Sequence, residues 1–312
     1  NPNSNKNTMV RRDMLRAASA AVLAASSFPL HWTAAAEKKK QKVLYFTRSA
    51  GFEHDVVKLK NGKPSFTDRI LTELGKRHGF DVICTKDGRV FDGDLDQYDA
   101  IAFYTSGVLT KPNKAKTPPM SAEGKNKLLR AIAAGIGFIV AIGNYKILCG
   151  EFSFLPSKGP RDQNQAKVDP YIAMLGGEFI VHGAQQEAII RTASPNFPGV
   201  KQFGKVQKLK EEWYTLKNFA KDLHVILIED NEGMKGDCYQ RPPFPVTWAR
   251  MHKKGRVFYT SFGHRNDIWT NPLVQGIITG GLAWAMGNVK VDVTSNIDKA
   301  TPKAGQLKYR QG

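Results

Sequence analysis

Four short apolar runs, separated by turn signals and helical stripes, constrain this chain most. Lys42–Thr47 (KVLYFT), Phe80–Thr85, Tyr98–Thr105 (YDAIAFYT) and Gly137–Ile142 (GFIVAI) carry β-branched and aromatic residues without a regular polar alternation. Runs of that kind are strands covered on both faces. Between the first two, Phe66, Ile70, Leu71 and Leu74 recur at helical spacing and close near Gly75 to Gly79. Between the last two, Ser121 is the expected N-cap, Leu128, Leu129 and Ile132 form the buried stripe, and Gly135 is the stop. The order strand, helix, strand, strand, helix, strand predicts an α/β fold with a mostly parallel sheet flanked by helices.

The second half is looser. Asp169-Pro170 opens a short helix ending at Gly176-Gly177. Phe179–His182 and Glu187–Thr192 read as short strands paired with each other, and His224–Glu229 and Pro245–Met251 as further strands. Arg256–Ser261 (RVFYTS) is another buried strand, and Asn271-Pro272 caps a last helix running towards Met286. These elements predict a β-rich insertion within one domain spanning residues 42–288, followed by an irregular tail over 289–312.

The first 36 residues read as an address. Arg11-Arg12, an Ala/Val/Leu/Ser stretch and Ala34-Ala35-Ala36 read as an export signal of the twin-arginine kind, with the start at Met9 or upstream left open and residues 37–41 as a linker. Location in the periplasm follows as an expectation. No apolar run reaches the length of a membrane span, so none is expected after signal removal. The formal net charge of +18 raises nucleic acid as a partner. Removing residues 1–36 takes away four basic residues and one acidic one and leaves +15, spread over Lys38–Lys40, Lys111–Lys127, Lys201–Lys217 and the tail. Those clusters mostly lack the interleaved aromatics of a nucleic-acid groove, so they are read as a basic surface.

In open parallel sheets, ligands gather beyond the carboxyl ends of the strands. That rule selects Ser49–Asp55, Thr105–Leu109, Gly143–Lys146 and Gly263–Asp267. Two of these segments carry histidines, His54 and His264. A lone histidine is more often a satisfied surface or core residue, but two on one sheet edge are candidate catalysts. His182, in HGAQQ with Gln185, suits hydroxyl-rich ligands or is a solvated turn. Glu211-Glu212-Trp213-Tyr214 sets carboxylates beside aromatic faces, the pairing sugars favour; its plain alternative is a loop whose aromatics plug a core edge. Arg241–Pro245 stiffens the approach to a strand holding Trp248 and Arg250.

Other chemistries find little support. None of Cys84, Cys149 and Cys238 sits in a nucleophile elbow, and Cys149 and Cys238 are the pair that export would allow to bridge. P-loop and dinucleotide fingerprints are missing, because Gly135-Ile136-Gly137 precedes a strand. His54, His182 and His264 match no zinc motif, which leaves a divalent metal open and the cofactor unassigned.

The same residues carry a resemblance. Thr47–His54 (TRSAGFEH), YDAIAFYTSG, GGEFIVHGAQQ from Gly176, EEWYTLKNF from Glu211, PPFPVTWARMHKKGRVFYTSFGH from Pro242 and GGLAWAMGN resemble the ThuA-like (trehalose utilisation) family, in order over roughly Lys42 to Asn288. The resemblance implies a flavodoxin-like sheet related to class I glutamine amidotransferases without their cysteine, and a role in sugar catabolism around trehalose-type disaccharides and their keto forms. It places His54 in the family's G-F-x-H element, His264 in its late G-H element, His182 in H-G-A-Q, and Glu212 and Trp213 in the acidic-aromatic segment. One departure stands out: Ile142 falls where relatives often carry a histidine, with Asn144 as the nearby polar substitute.

The expectation is an exported enzyme acting on a small saccharide, with His54 and His264 as base and acid and Glu212 orienting them. Phe52, Asn144, His182, Gln185, Trp213, Trp248 and Arg250 are its expected binding residues. The rivals are a non-catalytic saccharide-binding relative and, more remotely, a vestigial amidotransferase partner.

Overall fold

The apolar runs become the parallel half of one sheet in a computed structural model, which describes residues 40–141 and 168–307. The strands are β1 (Gln41–Phe46), β2 (Phe80–Thr85), β3 (Ala100–Phe103), β4 (Gly137–Ala141), β5 (Glu178–His182), β6 (Gln186–Thr192), β7 (Val206–Glu211), β8 (Tyr214–Lys217), β9 (His224–Asp230), β10 (Phe244–His252) and β11 (Gly255–Thr260). Among the described residues nine of them form one sheet in the order β2-β1-β3-β4-β11-β10-β9-β6-β7, and β5 and β8 form a separate ladder. Strands β2, β1, β3, β4 and β11 run parallel, whereas β10, β9, β6 and β7 each run antiparallel to the neighbour before. The β-rich insertion is therefore an antiparallel extension of the parallel sheet plus a small satellite ladder.

The helices start and stop on local chemistry. In α1 (Phe66–His78), Ser65 and Asp68 form a reciprocal capping box and Gly79 ends the helix in the left-handed region at φ 80°. Ser121 accepts the Gly124 N–H to open α2 (Ala122–Ala134), and Asp169 accepts from Tyr171 to open α3 (Pro170–Leu175). A short α4 (Asn266–Thr270) precedes α5 (Pro272–Ala285), whose cap is the Asn271 side chain. Helix α5 lies on β4 and β11, and its glycines permit the approach: a Cβ on Gly281 would meet the Phe258 ring at 2.7 Å.

Aromatic packing fills both halves. Phe46, Phe91, Phe103 and Phe138 form edge and tilted contacts at 4.8–5.6 Å. Each such buried ring contributes roughly 1.5–3 kcal/mol over an exposed one.

Two expectations are corrected here. Strands β5 and β6 do not pair with each other: β5 pairs with β8, while β6 lies between β7 and β9. The polar tail is docked instead of irregular throughout. Asn296 exchanges hydrogen bonds with both backbone groups of Val225, Arg241 donates to Ala304 O, and Ile297–Ala300 forms a helical turn, α6. The Val225 backbone groups at the start of β9 are satisfied by Asn296 in place of water. The export segment and most of the linker, together with Ile142, Asn144 and Cys149, lie outside the described residues. Among the described residues no helix is long and apolar enough to cross a membrane.

Candidate functional site

The carboxyl ends of β1, β3 and β11 deliver three loops to one place. The loop after β1 is held from below by Arg48, whose buried guanidinium donates to Leu109 O (2.9 Å), Lys111 O (2.6 Å) and Thr117 O (3.2 Å). Ala50 N donates to Ser106 O at 2.6 Å, and the Ser106 hydroxyl donates to Phe52 O. These bonds hold the backbone leading into His54. The loop after β11 is fixed through Gly263, whose carbonyl accepts from Tyr104 Oη (3.1 Å) and Trp269 Nε1 (2.7 Å).

A fourth segment closes the group. The chain leaves the large sheet at Glu211 and joins the satellite ladder at Tyr214, so Glu212 and Trp213 bridge two sheets. Extended backbone sends Glu212 and Tyr214 to one side and Trp213 to the other.

Four predicted residues come together. The His54 and His264 rings stand edge-to-face with centroids 4.9 Å apart. His264 Nδ1 lies 2.9 Å from Glu212 Oε2, and His182 Nδ1 lies 3.5 Å from Glu212 Oε1. The Tyr214 hydroxyl donates to Glu212 Oε2 at 3.0 Å and sits 3.3 Å from His54 Nε2, linking the two sides. His54, Glu212 and His264 each present one metal-ligating type of atom, all within 4.8 Å of one another.

The electrostatics divide the roles. Burial, reinforced by His264, pushes the His54 imidazole down to about 4, so it stays uncharged at neutral pH. Burial raises Glu212, yet the facing His264 and His182 and the Tyr214 hydroxyl outweigh it and hold the carboxyl below its ordinary value. Glu211 behaves differently: burial lifts it to about 7, against the backbone N–H groups of Gly263, Glu212 and His264 that favour its charge. Burial also raises the phenols of Tyr104 and Tyr214.

The remaining predicted residues divide. Phe52 is 53% exposed and stands edge-on to His54 at 5.1 Å, on the rim of the cluster. Gln185 accepts from Arg265 Nη1 at 2.7 Å, beside His264 in sequence. Three residues do not join the cluster. Trp213 is fully buried, donates to Gln186 O and packs on Phe262, so the core-plug alternative describes it. Trp248 stacks on Tyr259 at 4.0 Å and donates to Leu175 O inside the core. Arg250 sits opposite Val257, back along β11 from the site, and binds Asp222 and the end of α3. Neither residue type nor a stiff approach to a strand says which face of that strand meets the site. A separate open depression lined by Arg89, Asp92, Lys111 and Met120 includes no residue of the cluster.

Sequence reasoning singles out their segment but assigns no role of their own to two contributors, the Tyr214 hydroxyl and the Glu211 carboxylate. The i, i+2 spacing of Glu212 and Tyr214 was the available signal for the first.

The family model for trehalose utilisation (ThuA) matches residues 158–285, the stretch carrying His182, Glu212, Tyr214 and His264. Over that stretch the chain matches the ThuA family. Its fold is similar to that of a ThuA-like protein from Bacteroides uniformis, at 16% identity over 81% of this chain and 94% of that one, with a TM-score of 0.54. A ThuA-like protein from Parabacteroides merdae gives 18% identity over 87% and 98% of the two chains, with a TM-score of 0.51. At these identities the likeness speaks for the ThuA-like architecture. No curated protein matches the chain. The family suggests a role in trehalose utilisation.

Proposed function

We propose that this ThuA-like chain is an exported enzyme that acts on a trehalose-type disaccharide or its keto derivative, through acid/base chemistry at the cluster of His54, Glu212 and His264. The supporting observation is the pairing of an uncharged, buried imidazole with a second imidazole held 2.9 Å from a carboxylate, joined through one tyrosine hydroxyl. Proton removal beside a carbonyl needs a neutral base and a neighbouring donor that can return the proton. His54 suits the first task, and His264, held 2.9 Å from Glu212, suits the second. Phe52 on the rim offers a ring face to the apolar side of a sugar. The Arg11-Arg12 motif supports export.

Purified protein assayed on a panel of disaccharides and their keto derivatives tests this reading. Turnover by the parent, with His264→Ala retaining saccharide affinity but losing turnover, is the expected result. Saccharide binding without turnover by the parent on any member would favour the non-catalytic relative instead.

A further inference from the structure

We propose that His54, Glu212 and His264 bind one divalent transition-metal ion of the zinc type. The proposal rests on the reading that this cluster is the working site, and deepens it.

The donor set comes first. Two imidazoles and one carboxylate suit borderline ions such as Zn2+, whereas Ca2+ and Mg2+ favour all-oxygen surroundings and Cu+ favours thiolates. Geometry comes second. Ligand atoms about 2.1 Å from one tetrahedral ion lie about 3.4 Å apart. His264 Nδ1 and Glu212 Oε2 already stand at 2.9 Å, and all three ligand atoms fall within 4.8 Å. Closing the wider separations takes small side-chain rotations.

Polar satisfaction comes third. His54 Nδ1 is buried with no hydrogen-bond partner among the described residues, and His264 Nδ1 meets Glu212 Oε2 without the alignment of a hydrogen bond. Buried ring nitrogens normally have partners, so His264 Nδ1 beside the Glu212 carboxylate points to a cation as the missing partner. The surroundings match as well. Tyr214 donates to Glu212 Oε2, and Glu211 holds the His264 backbone, the kind of outer support that orients metal ligands. Glu212 and His264 keep side-chain exposures of 13% and 17%, which leaves one side of an ion open to a saccharide oxygen. A water on such an ion titrates near 7 and would carry the proton work that the imidazoles otherwise share.

The test uses the untagged full chain, stripped with a chelator and titrated with Zn2+ by calorimetry and with Co2+ by visible absorption. One equivalent should bind and give cobalt ligand-field bands. Glu212→Gln, which keeps the side-chain shape, and His54→Ala and His264→Ala should each weaken binding at least about 10-fold. Circular dichroism on each variant separates ligand loss from unfolding, and Glu212→Gln remains decisive if a histidine variant fails to fold. No Co2+ bound by the parent, or parent-like binding by folded Glu212→Gln, overturns the proposal. Ion bound without turnover on any saccharide supports the metal site and defeats the functional reading. Turnover unaffected by stripping, with no ion bound, does the reverse.

Discussion

One oxygen of Glu211 accepts hydrogen bonds from the backbone N–H groups of both Gly263 and His264, at 2.9 and 3.0 Å. Its other oxygen accepts from Glu212 N at 2.8 Å. Neighbouring glutamates thus take separate tasks. Glu212 faces the imidazoles, and Glu211, fully buried, ties the segment bearing Glu212 to the turn bearing His264.

Glu211→Gln tests that tie. The amide retains one acceptor oxygen and presents a donor towards backbone N–H groups, so the variant should lose about 1–3 kcal/mol. Turnover should fall with saccharide KM largely held, because Glu211 touches the turn and not the ligand. Urea unfolding and steady-state kinetics read both effects; unchanged stability together with unchanged kcat would refute the role.

Tyr214→Phe removes the hydroxyl shared by His54 and Glu212. The ring stays packed on Phe179, so the fold should survive with a loss on the order of 1 kcal/mol. The kcat should drop about 10-fold or more if the hydroxyl aligns the two sides. Full turnover by the variant would show that it does not.

Glu229 offers a pH signature away from the site. It is wholly buried, and neither carboxyl oxygen has a hydrogen-bond partner among the described residues. Burial raises its pKa well above the ordinary carboxyl value, with the Arg241 charge opposing. A raised folded value means the native state holds this proton more tightly than the unfolded chain. The resulting stability is fully present below the ordinary value of 4.5 and is lost as pH rises through the folded value. Glu229→Gln should remove that part of the decline, so the urea midpoint should fall less from pH 5 to pH 8 than in the parent. Equal pH profiles for the two proteins would count against it.

Gly107→Ala should disturb the site from a distance. The residue has φ 74°, and a Cβ there would meet Gly51 N at 2.2 Å. Positive φ and overpacking together should cost about 2–4 kcal/mol. Displacing Ala50 and Gly51 should also shift the approach to His54 and lower turnover. A parent-like melting temperature would contradict the close approach.

Much of the frame was legible along the chain, for reasons that act locally. The caps at Ser121, Asp169 and Asn271 and the stop at Gly135 follow from orphaned helix-end groups and permitted dihedrals. The buried parallel strands follow from uninterrupted apolar runs. Less was legible where polar and apolar residues mix. Strands β5 and β6 both read as strands, yet their partners depended on chain still to come, since β8 and β9 lie farther along. Trp213 reads as a sugar platform by type and Trp248 as a binding residue after a stiff loop, and strand register turns both into the core.

By itself, the sequence determined the buried parallel strands, the helices that follow them and the caps of those helices, and that His54 and His264 fall beyond strand ends on one edge of a sheet. Only the tertiary structure decided that Tyr214, 160 residues after His54, completes the cluster, and that Glu211 rather than its neighbour grips the turn at His264. Propensity and hydrophobic pattern act over a few residues. The position of a hydroxyl to within an ångström is set by the sum of packing and hydrogen bonds across the whole fold.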